Sequence, residues 1–79
     1  MSPTVFKYKD YRFFFFSREE SRMHIHVTSN NGEAKFWLEP IIALADYYSL
    51  TSKQLNELQH IVEEHAHDIK TSWEAHFKC

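Results

Sequence analysis

His24-Ile25-His26-Val27, the pair Asn31-Gly32 and Ala34-Lys35-Phe36-Trp37-Leu38 decide the fold. Asn-Gly between two runs of alternating apolar and polar residues is the strongest short-range sign of a β-hairpin, because both central positions of a type I′ turn need positive φ. With Asn31 and Gly32 as the loop, Asn30 pairs with Glu33, and each later pair is fixed in turn. Thr28 then faces Lys35, Val27 faces Phe36, His26 faces Trp37, Ile25 faces Leu38 and His24 faces Glu39. This register sorts apolar against apolar and polar against polar, as a sheet with one buried face requires. It also gathers two histidines, a lysine, a tryptophan and a glutamate on the opposite face.

Working outward, Thr4 to Tyr8 and Tyr11 to Ser17 read as two more strands around a tight turn at Lys9-Asp10. That turn pairs Phe6 with Phe13 and Tyr8 with Tyr11, giving an all-aromatic face, with Val5, Lys7, Arg12, Phe14 and Phe16 on the other. Residues 18–22 form a charged loop. Pro40 suits the first turn of a helix, where its missing N–H is no loss, and Ile41, Leu44, Ala45 and Tyr48 follow at helical spacing. Thr51 and Gln54 form a capping box at the start of the next helix, with Leu50 and Leu55 as a hydrophobic staple. Leu55, Leu58, Val62, His65, Ile69, Trp73 and Phe77 trace one stripe along it. A continuous helix over that stretch outruns a seven-residue strand of about 23 Å, so it either breaks near His65-Ala66-His67 or projects beyond the sheet. His65, within the stripe, reads as a packed core histidine.

The expected architecture is one α+β domain over residues 1–79. It has a four-stranded antiparallel sheet from two hairpins, followed by two helices packed on one face. The chain has 79 residues with seven Phe, four Tyr and two Trp. A core this small therefore depends on aromatic bulk. A net charge of −2 excludes a polycation that holds nucleic acid by overall charge, though not a local basic patch. The single cysteine, Cys79, has no partner for a disulfide, and the Phe13–Phe16 run is too short to span a membrane. No signal peptide is recognisable at the N-terminus. A cytoplasmic protein without cofactor and without membrane attachment is expected.

Pro3-Thr4-Val5, Tyr11-Arg12-Phe13-Phe14-Phe15, His24-Ile25-His26-Val27, Ala34-Lys35-Phe36-Trp37-Leu38 and the late Trp73 with Phe77 resemble the small bacterial family known as domain of unknown function 4160 (DUF4160). The resemblance covers nearly the whole chain. Members of this family are typically encoded beside a second small protein, and such pairs are candidate toxin–antitoxin modules. The resemblance thus implies a bacterial cytosolic protein with a cognate partner, and no established reaction. Lys9-Asp10 stands where the family commonly has a glycine-containing turn, and Met23 where a proline usually precedes the first histidine.

The chemistry is sought on the face that the helices leave bare. His24 and His26, two apart on a strand, point the same way, as a proton-transfer pair or a metal site would need. Lys35 suits stabilisation of a developing phosphorane charge, and Trp37 offers a platform for a base. With Lys7, Arg12, Phe14 and Phe16 around them, these residues outline a surface for RNA or for a protein partner. They are consistent with a toxin-like protein that binds or cleaves RNA as a metal-independent ribonuclease. The same residues equally suit a non-catalytic interaction module, as a homodimer or with a cognate protein, whose histidines simply pack at the interface. Metal binding by the histidines is a third reading. His60, Glu64 and His67, at i, i+4 and i+7, are a further weak metal candidate that a solvated helix surface would mimic. Residues 43–51 leading into Leu55 resemble a helix-turn-helix. However, Glu57, Glu63, Glu64, Asp68 and Glu74 on the second helix would repel DNA phosphates.

Overall fold

The computed structural model describes residues 4–15 and 22–77, without the side chains of Thr4, His76 and Phe77. In order, the elements are β1 (Thr4–Tyr8), β2 (Tyr11–Phe14), β3 (His24–Thr28), β4 (Glu33–Trp37), β5 (Ala43–Tyr48), α1 (Ser52–Glu64) and α2 (Ala66–Phe77). The strands form one antiparallel sheet in sequence order, so β1 and β5 are its edges. The α+β class, the antiparallel sheet and the number of helices are as expected, although both helices come from the stretch expected as the second one. The sheet has five strands rather than four.

The first hairpin keeps the anticipated register, with Phe6 opposite Phe13 and Tyr8 opposite Tyr11. The Phe6 and Phe13 rings stack with centroids 4.3 Å apart. Lys9 in the turn takes φ 55°, in the left-handed region that glycine enters freely. A hydrogen-bond pair ties this turn to α1, as the Tyr8 hydroxyl and Lys9 Nζ both donate to Glu57 Oε2 at 2.7 Å.

The second hairpin forms with a register two residues away from the expected one. Thr28 pairs with Glu33, Val27 with Ala34, His26 with Lys35, Ile25 with Phe36 and His24 with Trp37. The bend is centred on Asn30-Asn31 instead of Asn31-Gly32. Ser29 closes it, its N–H donating to the Gly32 carbonyl at 3.0 Å. Ser29 Oγ accepts from the amides of Asn31 (3.2 Å) and Gly32 (3.3 Å). A shift of two preserves which face each side chain occupies, so the sorting into a core face and an opposite face survives. Gly32 does not use positive φ. Its role is close approach, since a Cβ there would lie 2.2 Å from the Tyr48 carbonyl oxygen on β5.

The segment after Pro40, expected as a helix, is strand β5, and this also removes the helix-turn-helix reading. Pro40 lies in the β4–β5 connection instead of at a helix start. Ala45 is the extra residue of a β-bulge, because Lys35 pairs with Asp46 whereas Phe36 pairs with Leu44. The bulge puts Leu44 and Tyr47, three residues apart, opposite Phe36 and Ala34 on one face. Strict alternation, the usual mark of a strand, is thereby lost.

The core lies between the helices and one sheet face. Tyr11, Phe13 and Phe15, Ile25 and Val27, and Ala34, Phe36 and Leu38 bury against Leu50, Leu58, Val62, Ile69 and Trp73. The capping box is present in full, with Gln54 N–H donating to Thr51 Oγ1 at 3.1 Å and Thr51 N–H to Gln54 Oε1 at 2.9 Å. Of the two alternatives left open for the long stripe, the helix breaks, at His65, which leaves helical geometry (φ −105°, ψ 14°) between α1 and α2. Expected in the core, His65 is instead exposed, with its ring 4.7 Å from that of Phe6. Phe6 belongs to an edge strand, so no described strand lies beyond it to enclose the imidazole.

Gly32→Ala is expected to destabilise the fold by about 1–3 kcal/mol, because the methyl group meets backbone instead of a movable side chain. Urea denaturation of the variant checks this. Hydrogen bonds from Lys9 and then from Tyr8 hold the Glu57 carboxyl below its ordinary range. A carboxyl lowered in the folded state contributes stability above the ordinary carboxylate pKa and loses it as pH falls through the folded value. Wild type should therefore lose stability on acidification from roughly pH 5 to pH 3 more steeply than Glu57→Gln. Thermal unfolding across that window measures the difference.

Candidate functional site

The sheet face opposite the core carries rows of side chains set by the strand pairing. One row runs Phe14, His26, Lys35, Asp46 across β2 to β5. The neighbouring row runs Lys7, Arg12, Thr28, Glu33, Tyr48 across all five strands. His24 and Trp37 face each other one row further on, with Ala43 on β5. The sequence expectation that His24, His26, Lys35 and Trp37 share a face holds, although their partners differ. His26 meets Lys35 instead of Trp37, and His24 meets Trp37 instead of Glu39.

The two histidines have unequal surroundings. His24 is only 2% exposed. Its ring lies 5.1 Å from that of Trp73 on α2, which in turn packs edge-on against Phe15 at 5.3 Å. The end of α2 therefore reaches the margin of the sheet and seals His24 at the start of β3. His24 Nδ1–H donates to the Arg22 carbonyl at 2.7 Å, which fixes the orientation of the ring. His26 is half-buried and stays on the open face, its ring stacked on Phe14 with centroids 5.6 Å apart.

Cations lie over the aromatic rings of this face. The Arg22 guanidinium carbon is 4.1 Å from the Trp37 ring centroid and Lys35 Nζ is 4.6 Å from it. The Arg12 guanidinium carbon lies 4.7 Å over Phe14. Contacts of this kind hold a long cationic side chain flat against an otherwise exposed ring. Trp37, expected as a platform for a base, serves here as a seat for two cations. Arg22 is further fixed by donation from Nε to the Glu39 carbonyl at 2.9 Å.

Negative charge collects elsewhere. Glu63, Glu64, Asp68 and Glu74 are exposed on the helices, while Lys7, Arg12 and Arg22 are exposed on the sheet side. A chain with a net charge of −2 thus presents a cation-rich sheet face and an acidic helical layer. Glu33 and Asp46 form an acidic margin where β4 meets β5. A shallow pocket of about 190 Å³ lies there, lined by His26, Glu33, Lys35, Asp46 and Tyr48, with the Ala34–Tyr47 pair between the two rows.

The model of the family described as Domain of unknown function (DUF4160) matches residues 10–74. The chain is a DUF4160 protein. The match runs from the β1–β2 turn into α2, so it includes every strand that contributes to the pocket. No curated relative and no solved structure matches the chain.

Sequence reasoning missed Arg22, Asp46 and Tyr48. Asp46 and Tyr48 reach the site only because β5 is a strand, and the β-branched and aromatic pairs Ile41-Ile42 and Tyr47-Tyr48 were the available signal. Phe16 lies outside the described residues. His60, Glu64 and His67 do not assemble. The interruption at His65 parts His67 on α2 from His60 and Glu64 on α1, and no group of three metal-ligating side chains gathers among the described residues. Among those residues no helix is long and apolar enough to cross a membrane.

His24→Ala is expected to lower stability by roughly 2–4 kcal/mol by emptying a buried ring site. His26→Ala, at a half-buried position, should cost under about 1 kcal/mol. Paired denaturation curves distinguish the structural histidine from the surface one.

Proposed function

We propose that this DUF4160 protein is an RNA-binding component of a two-protein module of the toxin–antitoxin type, with the basic sheet face as the surface for single-stranded RNA. The observation that carries the reading is the arrangement of Arg12, Arg22 and Lys35 over Phe14 and Trp37 on one sheet face. Cations held in place on that face suit the phosphates of a single strand, and the exposed ring of Tyr48 at its β5 edge suits a base. Double-stranded DNA is a poorer fit, because no helix carries a basic face to enter a groove. The acidic, exposed side of α1 and α2 suits a basic cognate protein and leaves the sheet free for RNA.

The proposal is one of binding. A cleavage reaction using both histidines as proton carriers gains no support from His24, whose ring is sealed by Trp73 and tied to the Arg22 carbonyl. His26 and Lys35, directly opposite each other and half-buried, are the pair placed to contact a phosphate.

A second reading, a non-catalytic module that assembles through its own sheet edge, has one specific observation in its favour. Ile41, Tyr47 and Tyr48 on and beside edge strand β5 are 69%, 54% and 72% exposed. An unguarded edge of that composition favours strand pairing with another chain.

Fluorescence anisotropy with a labelled single-stranded RNA tests the proposal. Binding should weaken linearly in log–log form as salt rises. Arg12→Ala and Arg22→Ala should each lower the slope by about 0.7 if each removes one phosphate contact. A protein that forms a stable dimer by ultracentrifugation and binds no RNA at low salt would favour the edge-assembly reading.

A further inference from the structure

The pocket at the β4–β5 margin has a different chemistry from the cationic surface beside it. Glu33 and Tyr48 stand directly opposite each other across the two strands, and Lys35 and Asp46 form the next pair on the same face. The result is a block of four side chains, two acidic, one basic and one aromatic, around a depression of about 190 Å³. Lys35 leans toward Trp37, its Nζ 4.6 Å from the indole centroid, and so lies along β4 in the direction away from Glu33. One Asp46 carboxylate oxygen accepts from the Tyr47 amide at 2.9 Å. Among the described residues neither oxygen of Glu33 accepts a hydrogen bond. Glu33 therefore presents an intact two-oxygen acceptor edge, with the ring of the largely exposed Tyr48 beside it.

A carboxylate with both oxygens available selects a planar group carrying two adjacent N–H donors. Of the four RNA bases only guanine has such an edge, formed by its N1–H and its exocyclic amino group. Adenine and cytosine each offer one donor next to an acceptor, and uracil one donor flanked by two acceptors, so each of these would set a lone pair against the carboxylate. Tyrosine stacking supplies contact area to any base, while the carboxylate supplies the choice among them.

We infer that the β4–β5 pocket is a guanine-reading subsite, in which Glu33 accepts from the base's N1–H and amino group and Tyr48 stacks on its face. The inference rests on the RNA-binding reading and names the base that the RNA must present. His26 and Lys35, in the adjoining row, are positioned to meet the phosphate of the same nucleotide. The base is thus read at the sheet edge while its backbone lies on the cationic face.

The test uses the full chain and labelled oligouridine strands carrying a single guanosine, inosine or adenosine at one internal position. Inosine keeps N1–H and lacks the amino group, so it isolates the second hydrogen bond without any change to the protein. The guanosine strand should bind on the order of tenfold tighter than the adenosine strand, with inosine between them. Glu33→Gln should erase the guanosine preference, because glutamine offers one acceptor and one donor, and should not weaken oligouridine binding, because the carboxylate that opposes the uracil oxygens is gone. Tyr48→Ala should weaken all strands alike, and Tyr48→Phe should restore them. Equal affinity for all three strands, or a preference that survives Glu33→Gln, would overturn the subsite while leaving the RNA-binding surface standing. Failure to bind any strand at low salt would overturn both.

Discussion

A single hydrogen atom governs how this sheet is completed. At Gly32 any other residue would place a Cβ 2.2 Å from the Tyr48 carbonyl oxygen. The absence of a side chain there lets β5 lie flush against β4 to its last pair, Glu33 with Tyr48. A Cβ there would push the end of β5 away from β4, where Tyr48 stands beside Glu33. The same glycine closes the β3–β4 bend through its backbone contacts with Ser29. One position thus sets both the register of the histidine strand and the docking of the outermost one.

From that register follows a division of labour between two sheet faces. The core face is filled by aromatic and branched side chains from β2, β3 and β4 against the helices, and it offers little polar functionality. The other face is half-buried without being closed, because its rings are covered by cations rather than by a helix. Arginine and lysine stems shield Phe14 and Trp37 while their charges remain near the surface. That arrangement reconciles an apolar-looking surface with solvent contact and gives it a positive potential that the net charge of the chain conceals. The end of α2 departs from the simple two-layer picture, since Trp73 reaches past Phe15 to His24 and makes structure of a residue whose spacing suggested chemistry.

Of two features of the sequence, one was read correctly in kind and wrongly in detail and the other wrongly in kind, each for a local physical reason. Asn31-Gly32 signalled a hairpin, and a hairpin is there. The Ser29 hydroxyl captured the bend one residue earlier and moved the pairing by two, which changed every partner and no face. Ile41 to Tyr48 showed helical spacing, and a strand is there. The bulge at Ala45 replaces one interval of two by an interval of three, so its apolar residues no longer alternate. By contrast the capping box of Thr51 and Gln54 is a wholly local device, and it appears as its residue types require.

The amino-acid sequence by itself determined the α+β class, the first hairpin's register, the start of α1 and the gathering of His24, His26, Lys35 and Trp37 on one face. These depend on the period-two geometry of strands, on helix caps and on spacing along one segment, all of which act over a few residues. Only the tertiary structure decided that β5 joins the sheet, that His24 is sealed under Trp73, and that Arg22, from outside β4, settles over Trp37. Those outcomes depend on which backbone approaches which at long range. Close packing at Gly32 and around Trp73 selects among arrangements that local propensity leaves equally open.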